Sequence, residues 1–265
     1  MAFFDHLSYR NSGFGVHWGI GVLALATLPL FGNATSVAGQ NAYREVPVGD
    51  GAELVGTAFF PGQIPDPRRL LVTKDEEVCG FGYLERTEVV VGEDQGLAGV
   101  VVTVEGIQEG KGWPESPTRH VLDQRDCVFL PHLLVVPKAS DVDILNSDLV
   151  LHNVHAYEII DGPGRSLFNL GQPPSEKVIV QQLRPRLGNV VRLECDAHDF
   201  MQNWIYAADS PYWAITREDG TFAIEDVPPG EYSITAWRPS LSVLQQRVRL
   251  DPGGAVELVL DFTNE

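Results

Sequence analysis

The sequence predicts an all-β protein. Its 265 residues include 26 Gly and 18 Pro, and these residues recur as turn signals between short apolar runs. The runs are rich in β-branched residues, as at 100–104 (Val-Val-Val-Thr-Val) and 256–260 (Val-Glu-Leu-Val-Leu), and such runs favour strands. No segment shows a long helical period with capping residues. We therefore expect sheets, arranged in one large or two small domains.

The N-terminal segment, residues 1–38, has the pattern of an export signal. Arg10 precedes an uncharged apolar run, Trp18 to Phe31, and the segment ends at Ser36-Val37-Ala38, a small-x-small cleavage pattern. The run is about 14 residues long, short of the roughly 20 that span a bilayer as a helix. We expect a mature chain from Gly39 that is periplasmic or secreted, with no integral membrane segment after cleavage. An uncleaved anchor is the alternative.

Residue types that bind metals occur together in the second half of the chain. Cys195, His198 and Met201 lie within seven residues, and His152 lies 43 residues upstream. The residues on either side of the 195–201 segment alternate as strands do. Cys195 at the end of one strand and the six-residue loop after it present three donors, and a separate strand supplies His152. One thiolate, two imidazoles and a weak axial thioether are the donors of a mononuclear copper electron-transfer site.

This pattern resembles the cupredoxins, in particular the plastocyanin and amicyanin type. The Cys-x-x-His-x-x-Met loop at 195–201 resembles the copper loop of that family, and the run 128–154, with Leu-His-Asn-Val at its end, resembles the family's first ligand strand. The resemblance covers roughly residues 120–210. It implies a Greek-key β-sandwich or barrel over residues 116–212 that holds one type 1 copper.

The resemblance also implies a role for each residue of the site. Three equatorial ligands and one axial ligand would hold the copper: His152, Cys195 and His198 in the plane and Met201 on the axis. Asn153 would form hydrogen bonds near the Cys sulfur. His198 would be the electron exit, with its ring edge at an apolar surface that includes Phe200. Asp196 and Asp199 place charge beside that exit.

Other metal sites are disfavoured, and one alternative ligand remains. Cys79 and Cys127 have no Cys-x-x-Cys partner, so we do not expect a structural zinc site. No His-x-His pair of the kind found in multicopper oxidases and copper nitrite reductases occurs. His155 lies three residues after His152, and residues three apart on a strand point to opposite faces. We therefore expect His152 to be the ligand, with His155 as the alternative.

The C-terminal segment shows a second resemblance. Residues 216–237 resemble the carboxypeptidase regulatory-like (transthyretin-like) β-sandwich module, with a hairpin turn predicted at Asp219-Gly220 and alternating apolar residues around it. Two strands typical of the start of that module lie far upstream, at 54–58 and 97–102. This order predicts an Ig- or transthyretin-like sandwich in two parts, 39–115 and 213–265, with the cupredoxin domain inserted between them. The sandwich carries no catalytic motif, so we expect a scaffold role.

The other two cysteines follow from the copper assignment. If copper takes Cys195, Cys79 and Cys127 are left to pair, and export permits disulfides. Two free buried thiols are the alternative.

Charge limits the choice of partners. The chain has 36 acidic and 19 basic residues, a net charge of −17, which argues against nucleic-acid binding and is compatible with steering towards a basic redox partner such as a cytochrome c. The sequence thus predicts an exported single-copper protein, not an enzyme, that carries electrons between redox proteins such as a cytochrome c and a dehydrogenase or oxidase. A copper-delivery protein and a carbohydrate-facing accessory or adhesion module are the alternatives.

Overall fold

The computed structural model describes residues 43–115, 119–160 and 162–263. The predicted export signal, residues 1–38, and the predicted mature start at Gly39 lie outside the described residues. Within these ranges nearly all of the regular secondary structure is strand, which confirms the predicted all-β class. The only α-helix among the described residues is α1, Glu76–Cys79, and one 3₁₀ turn covers Glu93–Gln95. No helix in the described part of the chain is long and apolar enough to cross a membrane.

The described residues form twenty strands, numbered in chain order: β1 Arg44–Glu45, β2 Ala52–Phe59, β3 Arg68–Leu71, β4 Tyr83–Arg86, β5 Val101–Val104, β6 Glu109–Gly110, β7 His120–Arg125, β8 Val128–Leu130, β9 Leu133–Pro137, β10 Asp141–Asn146, β11 His152–Ile159, β12 Arg165–Gln172, β13 Val178–Gln182, β14 Val190–Cys195, β15 His198–Ala208, β16 Trp213–Ile215, β17 Thr221–Val227, β18 Gly230–Trp237, β19 Leu244–Leu250 and β20 Ala255–Asp261.

The first sandwich uses the strands from β7 to β15. Its smaller sheet has the order β13-β10-β7-β8, and its larger sheet has the order β12-β11-β14-β15-β9. Alternating residues of the two sheets meet in one apolar core, as expected for facing sheets. Its largest members include Leu122, Phe129, Ile144, Leu193 and Ile205. The same core contains Cys195 and Met201, so it surrounds the predicted site.

The second sandwich takes strands from both ends of the described chain. One sheet has the order β16-β5-β18-β19, and the other has the order β17-β2-β20. They enclose a separate core that includes Leu54, Leu97, Tyr212, Ile224 and Ile234. In chain order, β2 and β5 therefore come before the first sandwich and β16 to β20 come after it. The domain boundaries at 38, 115 and 212 remain predictions.

The chain turns at Asp219–Gly220 as predicted, but the strands on either side do not pair in one sheet. Gly220 has φ 80, and a Cβ there would lie 2.4 Å from the carbonyl oxygen of Ala58, so only glycine fits. The turn is closed by Gly220 N donating to the Arg217 carbonyl and by Arg217 N donating to the Thr221 carbonyl, which is the bonding of a local hairpin turn. The strands on either side, β16 and β17, belong to different sheets. The turn therefore carries the chain from one sheet to the other, which local turn chemistry does not reveal.

An aromatic cluster lies between the two sandwiches. It contains Val135 and Tyr206 from the first sandwich and Val101 and Trp237 from the second. Trp237 contacts Trp204 edge-on at 5.9 Å between ring centroids. The described chain thus packs its two sandwiches against each other through large apolar side chains.

A small hairpin, β3–β4, belongs to neither sandwich and carries α1 between its strands. Val72 and Cys79 of this hairpin segment are buried in the core of the first sandwich. A disulfide joins Cys79 to Cys127, the pairing that the sequence predicts. Residues 68–86 are thereby fastened to the first sandwich beside the predicted site.

Candidate metal centre

Three predicted ligands converge in the core of the first sandwich. The Nδ1 atoms of His152 and His198 lie 3.1 Å apart, and Cys195 Sγ lies 3.6 Å from His198 Nδ1 and 4.0 Å from His152 Nδ1. Metal–nitrogen bonds of about 2.0 Å and metal–thiolate bonds of about 2.3 Å allow one ion to bind donors up to about 4 Å apart. The three donors therefore fit a single ion, and all three residues are buried.

Strand pairing explains this convergence. Cys195 ends β14 and pairs with His198, the first residue of β15, across a turn of only Asp196 and Ala197. β14 also pairs antiparallel with β11, so His152 at the start of β11 lies at the same end of the sheet as Cys195. The six-residue loop that the sequence predicts after Cys195 is thus a two-residue turn followed by an irregular start of β15. The pairing of β14 with β15 shifts register there, from Cys195–His198 to Glu194–Gln202, and skips residues 199–201.

Met201 is buried in the same core as Cys195. It lies on β15, three residues after His198, with 1% of its surface exposed. Thioether sulfur is the weak axial donor of copper electron-transfer sites. The structure thus leaves the predicted axial ligand inside the core that encloses the other three, and its assignment as a ligand remains a prediction.

Asn153 makes two hydrogen bonds with the Cys195 sulfur. Its backbone N–H donates to Cys195 Sγ at 3.4 Å, and its Oδ1 lies 3.4 Å from the same sulfur and accepts from Ala197 N at 3.1 Å. Burial raises the pKa of the Cys195 thiol, and the N–H groups of Asn153, Ala197 and His198 partly oppose that shift. The metal-free site therefore holds a neutral thiol near pH 7, and metal binding would release its proton.

Asp148 orients the ring of His152. Its Oδ2 lies 2.8 Å from His152 Nε2, which leaves Nδ1 to face the other donors. The same carboxylate accepts from the backbone N–H groups of Asp126 and Cys127, at 2.8 and 2.9 Å. Burial lowers the pKa of His152, although the hydrogen bond to Asp148 acts in the opposite direction. A neutral imidazole with a fixed tautomer is the form that binds a metal.

Asp75 orients the ring of His198 in the same way. Its Oδ2 lies 2.9 Å from His198 Nε2, so His198 Nδ1 also faces inward. His198 is fully buried, with 0% exposed. This contradicts the predicted electron exit, in which the ring edge of His198 reaches an apolar surface. Phe200, predicted to line that surface, is itself buried and packs 5.5 Å from the His198 ring.

His155 lies away from the three donors, on the outer face of β11. Its Nδ1 lies 3.2 Å from both carboxylate oxygens of Asp196 and 2.8 Å from the Tyr157 hydroxyl, and its Nε2 lies 3.0 Å from Ser166 Oγ. Its ring also stacks on Tyr157. The structure therefore brings His152, and not His155, to the cluster, as strand alternation requires. The ligand assignment itself remains a prediction.

Sequence reasoning missed the two carboxylates behind the imidazoles. Asp148 lies four residues before His152, and that spacing was the one available signal, because an intervening turn can bring the two side chains together. Asp75 lies 123 residues before His198, and no local pattern links them. Cys127 also lies close to Asp148 and His152, but its sulfur is engaged in the disulfide and offers no thiolate.

Known families and solved structures match only parts of this chain. Residues 188–258 match the family described as polysaccharide lyase family 4, domain II, rather than the carboxypeptidase regulatory-like module that the sequence suggests. The match spans just over a quarter of the chain and runs from β14 into β20. No curated protein matches the chain at a significant level.

Solved structures similar to this chain include cupredoxins. A purple cupredoxin from Nitrosopumilus maritimus is 18% identical over 34% of this chain and 99% of its own, with a TM-score of 0.28. The oxidised P96G mutant of amicyanin is 17% identical over 40% of this chain and 98% of its own, with a TM-score of 0.28. The copper-containing nitrite reductase of Thermus scotoductus SA-01 is 14% identical over 34% of this chain and 22% of its own, with a TM-score of 0.27. Each of these three covers less than half of the present chain.

Proposed function

We propose that this protein is an exported carrier of single electrons with one type 1 copper, held by His152, Cys195 and His198 in the plane and by Met201 on the axis. The observation that carries the proposal is the convergence of two imidazole nitrogens and one thiol sulfur within 4.0 Å inside an apolar core. Bound copper supplies a centre that gains and loses one electron. The protein supplies the donors and the surroundings that hold them.

The surroundings suit electron transfer because they resist movement. Cys195 and His198 lie at paired strand ends, and His152 begins the neighbouring strand. A carboxylate holds the outer nitrogen of each imidazole, and Asn153 holds the sulfur. Such outer contacts fix the tautomer and orientation of ligands. When the charge of the centre changes, donors held in this way do not move. The reorganisation energy of electron transfer is therefore low.

Copper delivery fits this site less well. A delivery protein must hand its ion to a partner, which requires ligands that a partner can reach. His152, Cys195, His198 and Met201 each have at most 2% of their surface exposed. Burial also leaves no open position for a substrate, so the proposal does not include an enzymatic activity. If the protein were an accessory or adhesion sandwich without a metal, the convergence of the three donors would have no functional explanation.

The proposed partners are redox proteins outside the cytoplasm, such as a cytochrome c and a dehydrogenase or oxidase. The net charge of −17 favours association with basic surfaces and disfavours nucleic acids. The proposed location, periplasmic or secreted, rests on the export pattern in residues 1–38. The second sandwich serves as a scaffold in this proposal.

Copper titration of purified protein tests the proposal. Wild-type protein should bind one copper per chain and show a strong thiolate-to-copper band in the visible region. Cys195→Ser should lose that band because the thiolate is the source of the transition. His132→Ala, which removes an exposed imidazole of the same sandwich, should keep the wild-type band and stoichiometry. Copper binding without colour in the wild type, or an unchanged band in Cys195→Ser, would refute the proposal.

A further inference from the structure

We propose that Asp75 is a positioning residue for the ligand His198, and that the Cys79–Cys127 disulfide fastens the segment that carries it. The inference rests on the proposed function, because it takes His198 as a ligand. It adds a covering segment from outside the first sandwich to a site that would otherwise be formed by that sandwich alone. The segment comprises residues 72–80, between β3 and β4.

The Asp75 side chain contacts the ring of His198. Its Oδ2 lies 2.9 Å from His198 Nε2. Although Asp75 directly precedes α1, its side chain makes no capping hydrogen bond to that helix. Its backbone has φ 52, a left-handed conformation in which Asp is enriched among residues with a Cβ. The carboxylate therefore contacts the imidazole of His198 instead of capping the helix that follows it.

The covering segment is anchored on both sides of Asp75. Val72 before it and Cys79 after it are buried in the core that contains Cys195 and Met201. The backbone N–H of Val72 donates to the carbonyl of Gly82, which closes the hairpin. This packing explains why the His198 ring is fully buried although Asp75 itself is one-third exposed.

The disulfide connects the supports of both imidazoles. Cys79 ends the covering segment, and Cys127 lies in the turn between β7 and β8. The N–H of Cys127 donates to Asp148, and Asp148 contacts His152 Nε2. One covalent link therefore joins the segment that orients His198 to the turn that orients the carboxylate behind His152. Loss of the link frees the covering segment and exposes the His198 ring.

Chemical modification of the metal-free protein tests the cover without any reference to copper. Diethyl pyrocarbonate acylates accessible imidazoles, and peptide mass spectrometry gives the rate at His198. Wild-type protein should react slowly there. Asp75→Ala and the double variant Cys79→Ser/Cys127→Ser should react at least tenfold faster. Glu77→Ala, which removes an exposed carboxylate two residues further along, should react at the wild-type rate.

Copper affinity, measured by competition with a chelator, tests the positioning. Loss of a partner behind a metal ligand typically weakens metal binding by about 10–100-fold, and we expect that loss for Asp75→Ala. Asp75→Asn keeps a hydrogen-bond acceptor of the same shape and should lose less, which gives a second variant if Asp75→Ala fails to fold. Glu77→Ala should keep the wild-type affinity.

The two measurements separate the inference from the proposed function. A wild-type modification rate at His198 in both Asp75→Ala and the double cysteine variant would overturn the claim that residues 72–80 cover His198. Wild-type copper affinity in Asp75→Ala, or an equal loss in Glu77→Ala, would overturn the positioning role. If wild-type protein binds no copper, the proposed function fails, and the ring orientation of His198 is then judged from its nitrogen chemical shifts in wild-type and Asp75→Ala protein. An Nε2-protonated ring in the wild type that is lost in the variant supports positioning, and an unchanged ring overturns it.

Discussion

At the scale of single residues, one carboxylate links the candidate centre to the backbone around it. Asp148 contacts His152 Nε2 and also accepts the N–H groups of Asp126 and Cys127. Those two residues form a two-residue hairpin turn between β7 and β8, both with positive φ, where Asn-Gly is the usual sequence. The carboxylate thus stabilises an uncommon turn with both oxygens and holds the His152 ring with one of them, Oδ2.

We predict that His152→Gly opens an equatorial position and abolishes the visible band of the copper-loaded protein. Exogenous imidazole should enter the space and restore part of the colour. His155→Gly is the matched control, because His155 lies on the opposite face of β11 and contacts Asp196 and Tyr157 instead. Absorption spectra of both variants check the prediction. Colour lost in His155→Gly and kept in His152→Gly would reverse the ligand assignment.

Glu158 is a buried carboxylate outside the candidate metal centre. It contacts Arg165 and the backbone N–H groups of Leu187 and Gly188. Burial acts to raise the pKa of Glu158, but the hydrogen bonds from Arg165 and from these N–H groups outweigh it and leave the pKa lowered. A lowered pKa means that the ionised form stabilises the fold.

We predict that Glu158→Gln lowers the free energy of unfolding by about 1–3 kcal/mol at pH 7, because charged hydrogen bonds to a buried group are lost. The contribution of Glu158 is complete above its unfolded pKa of about 4.3 and is lost as the pH falls through its lower folded pKa. The difference between wild type and variant should therefore shrink below about pH 4. Urea unfolding at pH 7 and at pH 3 checks this. A difference that grows towards low pH would contradict it.

At the scale of elements, strand patterns in the sequence predict much of the site and hairpin packing accounts for the rest. Alternation around 188–194 places Cys195 at a strand end, as β14 shows, and strand geometry separates His152 from His155. The position of His198 is predicted less well, because its covering segment comes from residues 72–80. Contact between Asp75 and His198 depends on how a distant hairpin packs, which no local pattern encodes.

We predict that unfolded, metal-free, unreduced protein contains one free thiol, Cys195, and that reduction raises the count to three. Removing the disulfide with Cys79→Ser/Cys127→Ser should lower the free energy of unfolding by about 4 kcal/mol, since the bond closes a loop of roughly 48 residues in the unfolded chain. Thiol titration and urea unfolding check both parts. The control, Cys195→Ser, should show no free thiol and keep the disulfide. Three free thiols in the unreduced wild type would refute the pairing.

At the scale of the whole molecule, the chain forms two packed sandwiches whose sheets draw on distant segments. The all-β class follows from composition and short β-branched runs, and the structure confirms it. The predicted turn at Asp219–Gly220 forms, but β16 and β17 join different sheets. Turn residues specify a reversal of the chain without specifying which strands pair. The aromatic contact of Trp204 with Trp237 was likewise not predictable, since the two residues lie in different sandwiches.

We predict that Trp237→Ala weakens the coupling between the two sandwiches. Trp237 is buried and contacts Trp204 and Tyr206, and removing a buried Trp typically costs about 3–5 kcal/mol. Thermal unfolding followed by calorimetry should change from one transition to two, with the lower one well below the wild-type midpoint. Val259→Ala, at an exposed position of β20, should leave the wild-type transition in place. A single transition at the wild-type midpoint in Trp237→Ala would contradict the prediction.

The reversible redox cycle of the copper-loaded protein tests the central claim most directly. One copper per chain should give an intense visible band that ascorbate bleaches and ferricyanide restores over repeated cycles, with no release of copper. The burial of His152, Cys195 and His198 predicts this behaviour, because these donors would enclose the ion in both charge states. A colourless wild-type protein that carries stoichiometric zinc or no metal, or one that releases its copper on the first reduction, would contradict the account.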